Sequence, residues 1–175
     1  MKTNSLINKY SVSGILGIAY CCLCLTPRTA LPGFEIGNGR KLIKNTNGSY
    51  EIIIPEKLEV GFANRYTEII APLFEGTPRA RLQINIVKAD SLNTLADLVE
   101  SRSGQGWEAV KLAGLNGIKK VEILPTRLQQ IEYRLLYRPT ELIVINAEGV
   151  PSGSPATAFE MLQQSLETFQ VGEHK

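Results

Sequence analysis

Residues 127–148, RLQQIEYRLLYRPTELIVINAE, contain two runs of alternating apolar and polar side chains on either side of Pro139 and Thr140. In the first run, four apolar or aromatic residues share one face: Ile131, Tyr133, Leu135 and Tyr137. Alternation with a period of two is typical of a strand with one buried face, and a short turn between two such runs indicates a hairpin. The segment therefore predicts two antiparallel strands, over 127–138 and 141–147.

Further strands are predicted on the N-terminal side of this hairpin. Residues 50–54 are a β-branched run that Pro55 ends, and residues 81–87 alternate with Leu82, Ile84 and Ile86 on one face. Residues 58–76 supply one or two short strands. A second hairpin is predicted where 110–113 and 118–123 flank the sequence GLNG, in which Gly114 and Gly117 permit the positive φ angles of a tight turn.

Two segments have the period of a helix. Residues 91–102 place Leu92, Leu95 and Leu98 or Val99 on one stripe, with Asp90 or Ser91 as the N-cap. The C-terminal helix has Ser154 as its predicted N-cap and Pro155 at its first position. Its apolar stripe consists of Phe159, Leu162, Leu166 and Phe169. The order of strands, helix, two hairpins and helix predicts an α+β fold, an antiparallel β-sheet flanked by helices.

The first 30 residues have the layout of a secretory leader. Lys2 and Lys9 precede an uncharged apolar run over 11–25, which is shorter than the roughly 20 residues that a permanent membrane span needs. Ala30 suits the last position before cleavage, whereas Arg28 suits the third-last position badly. The alternative is a bacterial lipoprotein pattern over 18–21 in which Cys21 carries the lipid, although Tyr20 departs from it.

The leader holds all three cysteines, Cys21, Cys22 and Cys24. A tether with one short strand is predicted over 31–48, a single domain over 49–171 and a disordered tail over 172–175. Without the three bases of residues 1–30, 16 of the 19 bases remain against 17 acids, a net charge of about −1. This balance argues against a nucleic-acid partner, and a domain without cysteine has no disulfide or thiolate nucleophile.

The residue inventory argues against an enzyme and predicts no metal or cofactor. The single histidine, His174, lies next to the C-terminus, where a fixed imidazole for a catalytic triad or a metal site is not expected. Gly104 and Gly106 lack the third glycine of a phosphate-binding loop. Glu122 and Glu132 lie on neighbouring predicted strands, as a pair of glycosidase carboxylates would, but alternation predicts that they face solvent. The prediction is that no residue is catalytic.

A binding role has better candidates. Trp107 follows the SGQG loop, and large aromatic residues dominate the energies of protein interfaces, so it is the first candidate contact residue. Tyr133 and Tyr137 are weaker candidates. Positive charge is added on nearby strands and turns by Arg79, Arg81, Lys119, Lys120 and Arg127. The alternative is that Trp107 and the tyrosines belong to the core and that the arginines solvate the sheet.

The layout resembles the PsbP-like superfamily over residues 49–170. The matching segments are YEIIIP, RLQINIV, TLADLVES, GLNGIKKVEI, RLLYRPTELIVINAE and ATAFEMLQQSLETF. The resemblance implies an α/β/α sandwich and an accessory or binding role in an envelope or an organelle lumen, without assigning any functional residue. We therefore expect an exported accessory protein of the periplasm or cell envelope that binds a protein partner and has a membrane tether through its leader or a lipid. The alternative is a small-molecule or lipid carrier with a pocket between sheet and helix.

Overall fold

The structure, a computed structural model, describes residues 34–45, 49–63, 66–71, 79–89, 95–100, 105–152 and 157–172. Its strands are β1 (Phe34–Gly37), β2 (Arg40–Lys44), β3 (Tyr50–Pro55), β4 (Glu59–Ala63), β5 (Tyr66–Ala71), β6 (Ala80–Lys88), β7 (Trp107–Leu112), β8 (Leu115–Ile123), β9 (Gln129–Arg138), β10 (Glu141–Gly149) and β11 (Gln170–Val171). The helices are α1 (Leu95–Glu100) and α2 (Ala158–Leu166).

The strands form two sheets in which the paired strands are antiparallel. The large sheet has seven strands in the order β4-β5-β6-β10-β9-β8-β7, and the small sheet has four in the order β1-β2-β3-β11. The predicted antiparallel α+β character is confirmed, but the chain is dominated by sheet and its second sheet was not expected. Alternation within a strand shows which face is buried, and it does not show which other strand pairs with it.

The hairpin over residues 127–148 forms as predicted. Strands β9 and β10 pair along their length, with Pro139 and Thr140 as the turn between them. In the other predicted hairpin the turn consists of Ala113 and Gly114, at φ angles of 51° and 81°. Gly117 lies instead within β8, where an added Cβ would come within 2.2 Å of the carbonyl oxygen of Arg134. Glycine is therefore required at 117 by the close approach of two backbones rather than by a turn.

The segment predicted to be a tether over 31–48 contains a hairpin in its described part. Strands β1 and β2 pair through a turn at Asn38 and Gly39, and these two residues and Gly37 before them all have positive φ angles. Strand β2 also pairs with β3, and its Ile43 is buried opposite Ile52. The folded unit therefore includes residues before 49, because a buried side chain on β2 contributes to the core.

The main core lies between the two sheets and around α2, which contacts β3 of the small sheet and β5, β6 and β10 of the large sheet. Three of the four residues predicted to form the helical stripe, Phe159, Leu162 and Leu166, lie on α2 and are buried in this core, as predicted. The fourth, Phe169, is buried as well, but it lies beyond the end of the helix at Leu166. The helix begins at Ala158 with Thr157 as its N-cap. The predicted cap Ser154 and first residue Pro155 lie outside the described residues.

The other helix lies on the opposite face of the large sheet. Helix α1 contacts β7 and β8, and its fully buried Leu98 packs against Ile118 and Leu142. The inner face of the large sheet is therefore the one that packs on α2, and the outer face is the one that carries α1. Among the described residues, no helix combines the length and hydropathy needed to cross a membrane.

Candidate functional site: a polar groove on the outer face of the large sheet

The outer face is divided into an apolar part under α1 and an open polar part. Leu98, Ile118 and Leu142 form the centre of the apolar part, which Leu136 and Val144 extend. Burying these side chains removes apolar surface from water, and this is what positions α1 on the sheet. The remainder of the outer face has no helix over it in the described part of the chain.

The polar part is organised by strand register. One row of directly paired residues crosses six strands, each opposite the next: Glu68, Gln83, Asn146, Glu132, Lys120 and Trp107. Adjacent strands are about 4.8 Å apart, so this row is about 24 Å long. A parallel row contains Arg81, Glu148, Gln130 and Glu122. Polar side chains from distant parts of the sequence are thus brought side by side.

These rows line a groove with a cavity of about 390 Å³. Trp107 lies at its β7 end, and Arg81 and Gln83 line it at the β6 end. A second cavity of about 210 Å³ shares Arg81 and Glu148 with the first and extends to Glu68 and Arg79. The two cavities are adjacent and together form one open, polar depression across the sheet.

The cations of the groove are held by carboxylates. Arg81 forms a bidentate salt bridge with Glu148, in which Nε lies 2.6 Å from Oε1 and Nη2 lies 3.1 Å from Oε2. Both Nε and Nη2 of Arg134 lie 2.7 Å from Oε1 of Glu132. Lys120 forms a simpler ion pair, from its Nζ to Oε1 of Glu122. The three pairs limit the rotamers of six side chains and leave the groove close to electrically neutral.

Trp107 is the aromatic residue of the groove. The guanidinium carbon of Arg134 lies 5.3 Å from the centre of a Trp107 ring, within the range of a cation–π contact. The indole Nε1 is buried, and no hydrogen-bond partner for it occurs among the described residues. A buried donor without an acceptor is destabilising.

The structure separates the three predicted contact residues. Tyr133 and Tyr137 lie on the inner face of the large sheet, where they pack against the main core, whereas Trp107 lies on the outer face. Burial raises the pKa of the Tyr133 hydroxyl above its ordinary value of 10.0, and the nearby Glu108 carboxylate raises it further. Tyr137 accepts a 3.1 Å hydrogen bond from Arg138 Nη2, whose guanidinium also stacks on its ring. One binding surface therefore does not contain all three residues.

Other candidates from the sequence have different positions. Glu122 and Glu132 do lie on one face, on neighbouring strands, but each is ion-paired within the groove. Cys21, Gly104 and His174 fall outside the described residues. No group of three or more metal-ligating side chains occurs in the part of the chain that the structure describes.

The sequence analysis named Arg81 as a nearby positive charge but missed the other residues on the β6 and β10 side of the groove. Gln83 and Asn146 occupy positions in two predicted strands, which marked them only as polar, and Glu148 follows the second of these strands. The signal was therefore present in the alternation, but the neighbours of these residues depend on the pairing of strands separated by more than 50 residues.

The chain resembles known proteins in its fold, whereas its sequence matches no family model and no curated protein. The solution structure of cyanobacterial PsbP (CyanoP) from Synechocystis sp. PCC 6803 is similar, with a TM-score of 0.55 and 13% identity, and the match covers 82% of this chain and 98% of that one. A crystal structure from Bacteroides thetaiotaomicron VPI-5482 is also similar, with a TM-score of 0.51 and 11% identity over 76% of this chain. This chain spans about half the length of the Bacteroides protein, 48%.

Proposed function

We propose that this chain, which has the PsbP-like fold, is an accessory protein that binds a protein partner through the polar groove on its outer face. The observation that carries the proposal is Trp107, a partly exposed aromatic side chain that lines the β7 end of that groove. Large aromatic side chains dominate the energies of protein interfaces, so a partner that packs against this side chain would gain binding energy there. The similarity to a PsbP protein supports an accessory role of this kind.

The composition of the groove favours binding over catalysis. The described residues that line it are Arg, Lys, Glu, Gln, Asn, Trp, Ile and Ala, so none of these supplies a serine, cysteine or histidine for nucleophilic chemistry. Its three ion pairs are rigid features that a partner can recognise by shape and hydrogen bonding. The groove is also open, which suits an extended protein surface better than an enclosed substrate.

The alternative of a small-molecule or lipid carrier has less support. Its pocket was expected between sheet and helix, but the two cavities described above lie on the outer face, away from α2. Between α2 and the sheets, Phe159, Leu162 and Leu166 fill the space as buried core residues.

A comparison of variants tests the proposed contact. Wild-type, Trp107→Ala and Trp107→Phe proteins, each with an affinity tag, are cross-linked in cells of the source organism, and co-purified proteins are quantified by mass spectrometry. Gln170→Ala, an exposed change in the small sheet, is the matched control. We expect Trp107→Ala to reduce capture of the partner by about tenfold or more, and Trp107→Phe, which keeps an aromatic ring without Nε1, to reduce it less.

The outcome is interpretable only if the variants fold, which their melting temperatures establish. A Trp107→Ala protein that melts like the wild type and retains every partner would show that the groove is not the contact surface. A wild-type protein that captures no partner but gains thermal stability from a small molecule would favour the carrier instead.

We further propose that the protein acts after export, in the periplasm or cell envelope, either free or held at a membrane. The apolar segment over 11–25 and its cysteines support this, and the intact mass of protein from soluble and membrane fractions tests it. A soluble form without residues 1–30 indicates a cleaved leader. A membrane form that begins at Cys21 with added acyl mass indicates a lipid anchor, and an intact chain in the cytoplasm contradicts export.

A further inference from the structure

The hairpin between β8 and β9 ends in an exposed apolar tip, residues 123–128, which we call the hairpin tip. Ile123 is 73% exposed, the most exposed of the large apolar side chains in the described part of the chain. Val121, two residues earlier on the same face of β8, is 38% exposed. Scattered single apolar residues are normal on a protein surface, whereas adjacent ones mark an interaction site. The hairpin tip therefore presents apolar surface to solvent.

The hairpin tip is a fixed protrusion. The amide of Arg127 donates a hydrogen bond to the carbonyl oxygen of Leu124, and the amide of Leu124 donates one to that of Leu128, both at 2.9 Å. Pro125 occupies the second position of this turn, where its fixed φ is favourable. Strand β7 pairs with β8 only as far as Lys120, and β10 pairs with β9 only as far as residue 129. The hairpin tip thus extends beyond the paired part of the sheet.

Two exposed arginines lie at this end of the large sheet. Arg127 is in the hairpin tip, and its φ of 63° lies in the left-handed region that favours glycine, so the turn itself does not require an arginine. Arg79 directly precedes β6. Strands β6 and β9 begin at the same end because both are antiparallel to β10, which lies between them. The two strands are therefore about 10 Å apart.

These two arginines determine the charge around the hairpin tip. Further along the same sheet, Arg81 is neutralised by Glu148, and Lys120 by Glu122. Neither of the two arginines before β6 and β9 forms an ion pair with another described residue. An apolar protrusion beside unpaired cations is complementary to an anionic bilayer, which is negatively charged at its headgroups and apolar beneath them.

We infer that the hairpin tip docks on an anionic lipid surface, with Ile123 at the acyl chains and Arg127 and Arg79 at the headgroups. A protein surface is a poorer match, because a stable protein interface buries about 800 Å² on each partner, more than two apolar side chains at a narrow tip supply. A bilayer adapts to a small protrusion of any shape. The inference goes beyond the proposed function, because the contact is at the end of the sheet rather than in the groove.

The N-terminal segment gives a reason for such a surface to be near. The apolar run over 11–25 is predicted to direct export, and in the lipoprotein alternative Cys21 carries a lipid. One lipid chain alone attaches a protein weakly and reversibly, and a second membrane contact makes the attachment stable. The hairpin tip supplies a second contact of this kind.

Site-specific fluorescence tests the contact in the full chain with Cys21, Cys22 and Cys24 replaced by serine. A polarity-sensitive dye is attached at Thr126→Cys in the hairpin tip. The control is Thr140→Cys, which is also exposed but lies in the β9–β10 turn at the opposite end of the sheet. When vesicles of phosphatidylglycerol and phosphatidylcholine are added, emission at 126 should shift to shorter wavelength and emission at 140 should not. Unchanged emission at 126, or equal shifts at both positions, would overturn the inference.

Matched variants identify the side chains responsible, at the lipid concentration that gives half of the maximal shift. Ile123→Ser should lower the shift at 126 about fivefold, because it removes apolar carbons from the contact. Ile36→Ser, which changes an exposed isoleucine of the small sheet, should leave the shift unchanged. Arg127→Gly suits the positive φ of the turn, and it should lower the shift about threefold in these vesicles but not in pure phosphatidylcholine. Arg127→Lys should retain the shift.

Melting temperatures without vesicles establish that the variants fold. A shift that persists in Ile123→Ser would contradict the inference. So would a wild type that ignores vesicles but captures a protein that Ile123→Ser loses, since the hairpin tip would then be a protein contact. Trp107 lies in the groove, so loss of partner capture in Trp107→Ala and loss of the vesicle response in Ile123→Ser test separate proposals.

Discussion

Tyr50 connects the two sheets through a single buried hydroxyl. It lies on β3 of the small sheet, and its hydroxyl hydrogen-bonds the side chain of Thr67 on β5 of the large sheet. A longer bond of 3.4 Å runs from the hydroxyl to the carbonyl oxygen of Ile84. The ring of Tyr50 also packs against that of Phe169, with centroids 5.5 Å apart. The hydroxyl therefore satisfies polar groups in the middle of the apolar core.

We predict that Tyr50→Phe lowers the free energy of unfolding by about 1–3 kcal/mol, because it leaves the buried Thr67 hydroxyl without this partner. Urea denaturation measures the change. The double variant Tyr50→Phe with Thr67→Val is the control. Its loss of unfolding free energy should be smaller than the sum of the losses of the two single variants, because both polar groups are then removed. Strict additivity would show that the two hydroxyls do not interact.

The same residue predicts an alkaline dependence of stability. Burial raises the pKa of Tyr50 above its ordinary value of 10.0, although hydrogen bonds to Thr67 and Asn45 lower it in part. Because the folded state favours the neutral phenol, the stabilisation is complete below pH 10 and is lost as the pH rises through the higher folded-state pKa. Denaturation curves across this range should show a smaller loss for Tyr50→Phe than for the wild type. If the two proteins lost the same unfolding free energy at high pH, the loss would come from a group that both contain, such as Tyr133. Tyr50 would then not be its source.

At the scale of single elements, α2 is the helix that links the two sheets. Its buried side chains contact β3 on one side and β5, β6 and β10 on the other. Just after the helix, the hydroxyl of Thr168 forms two hydrogen bonds with the backbone of Ile53. It accepts a 2.9 Å bond from the Ile53 amide and donates a 2.9 Å bond to the Ile53 carbonyl oxygen. The helix is thus fixed to β3 by both packing and hydrogen bonds.

We predict that Leu162→Ala destabilises the fold by about 2–5 kcal/mol, because Leu162 is fully buried and its truncation leaves a cavity between the sheets. Gln164→Ala, on the exposed side of the same helix, should change stability by less than about 0.5 kcal/mol. Thermal and urea denaturation of both variants provide the measurement. Similar effects of the two changes would mean that α2 does not contribute to the core.

At the scale of the whole molecule, the large sheet separates two apolar clusters of unequal size. The main core on its inner face includes both sheets and α2, and the smaller cluster on its outer face holds α1. Strands β8 and β10 contribute residues to both faces of the sheet, so disruption of either cluster alters the same strands. The polar groove lies on the outer face beside the smaller cluster, and Trp107 belongs to both.

We predict a single cooperative unfolding transition for this arrangement. Far-ultraviolet circular dichroism follows both sheets, whereas the fluorescence of Trp107, the only tryptophan, follows the outer cluster. The two signals should give the same midpoint, and Leu162→Ala should lower both midpoints together. A fluorescence transition at lower denaturant would show that α1 and the outer cluster unfold as a separate unit.

Strand alternation, helical period and turn residues were sufficient to predict most elements. The hairpin around Pro139 and the buried stripe of α2 were correct because each depends on residues within one short segment. The β1–β2 hairpin was not predicted, because its turn at Asn38 and Gly39 and the sequence around the buried Ile43 resemble a Gly- and Asn-rich linker until β3 is placed beside it.

The candidate site was accessible to sequence reasoning only in part. Trp107 was singled out as the first aromatic candidate, but Tyr133 and Tyr137 were grouped with it because their strand also presents a polar face. Strand pairing shows that these tyrosines face the core. Which face of that strand meets the core depends on the elements that pack against it, and the strand's own alternation does not specify them.

What the sequence by itself determined is the local chemistry: which residues alternate, where turns and helices form, and that the single tryptophan follows a glycine-containing loop and precedes a hairpin. That Trp107 is the first residue of β7 was decided by the structure. What only the tertiary structure decided is adjacency, in particular the division into two sheets and the row that joins Glu68 to Trp107 across six strands. The physical reason is that backbone hydrogen bonding between strands is nearly independent of sequence. Register is therefore selected by the packing of the buried face as a whole, and the polar neighbours on the opposite face follow from it.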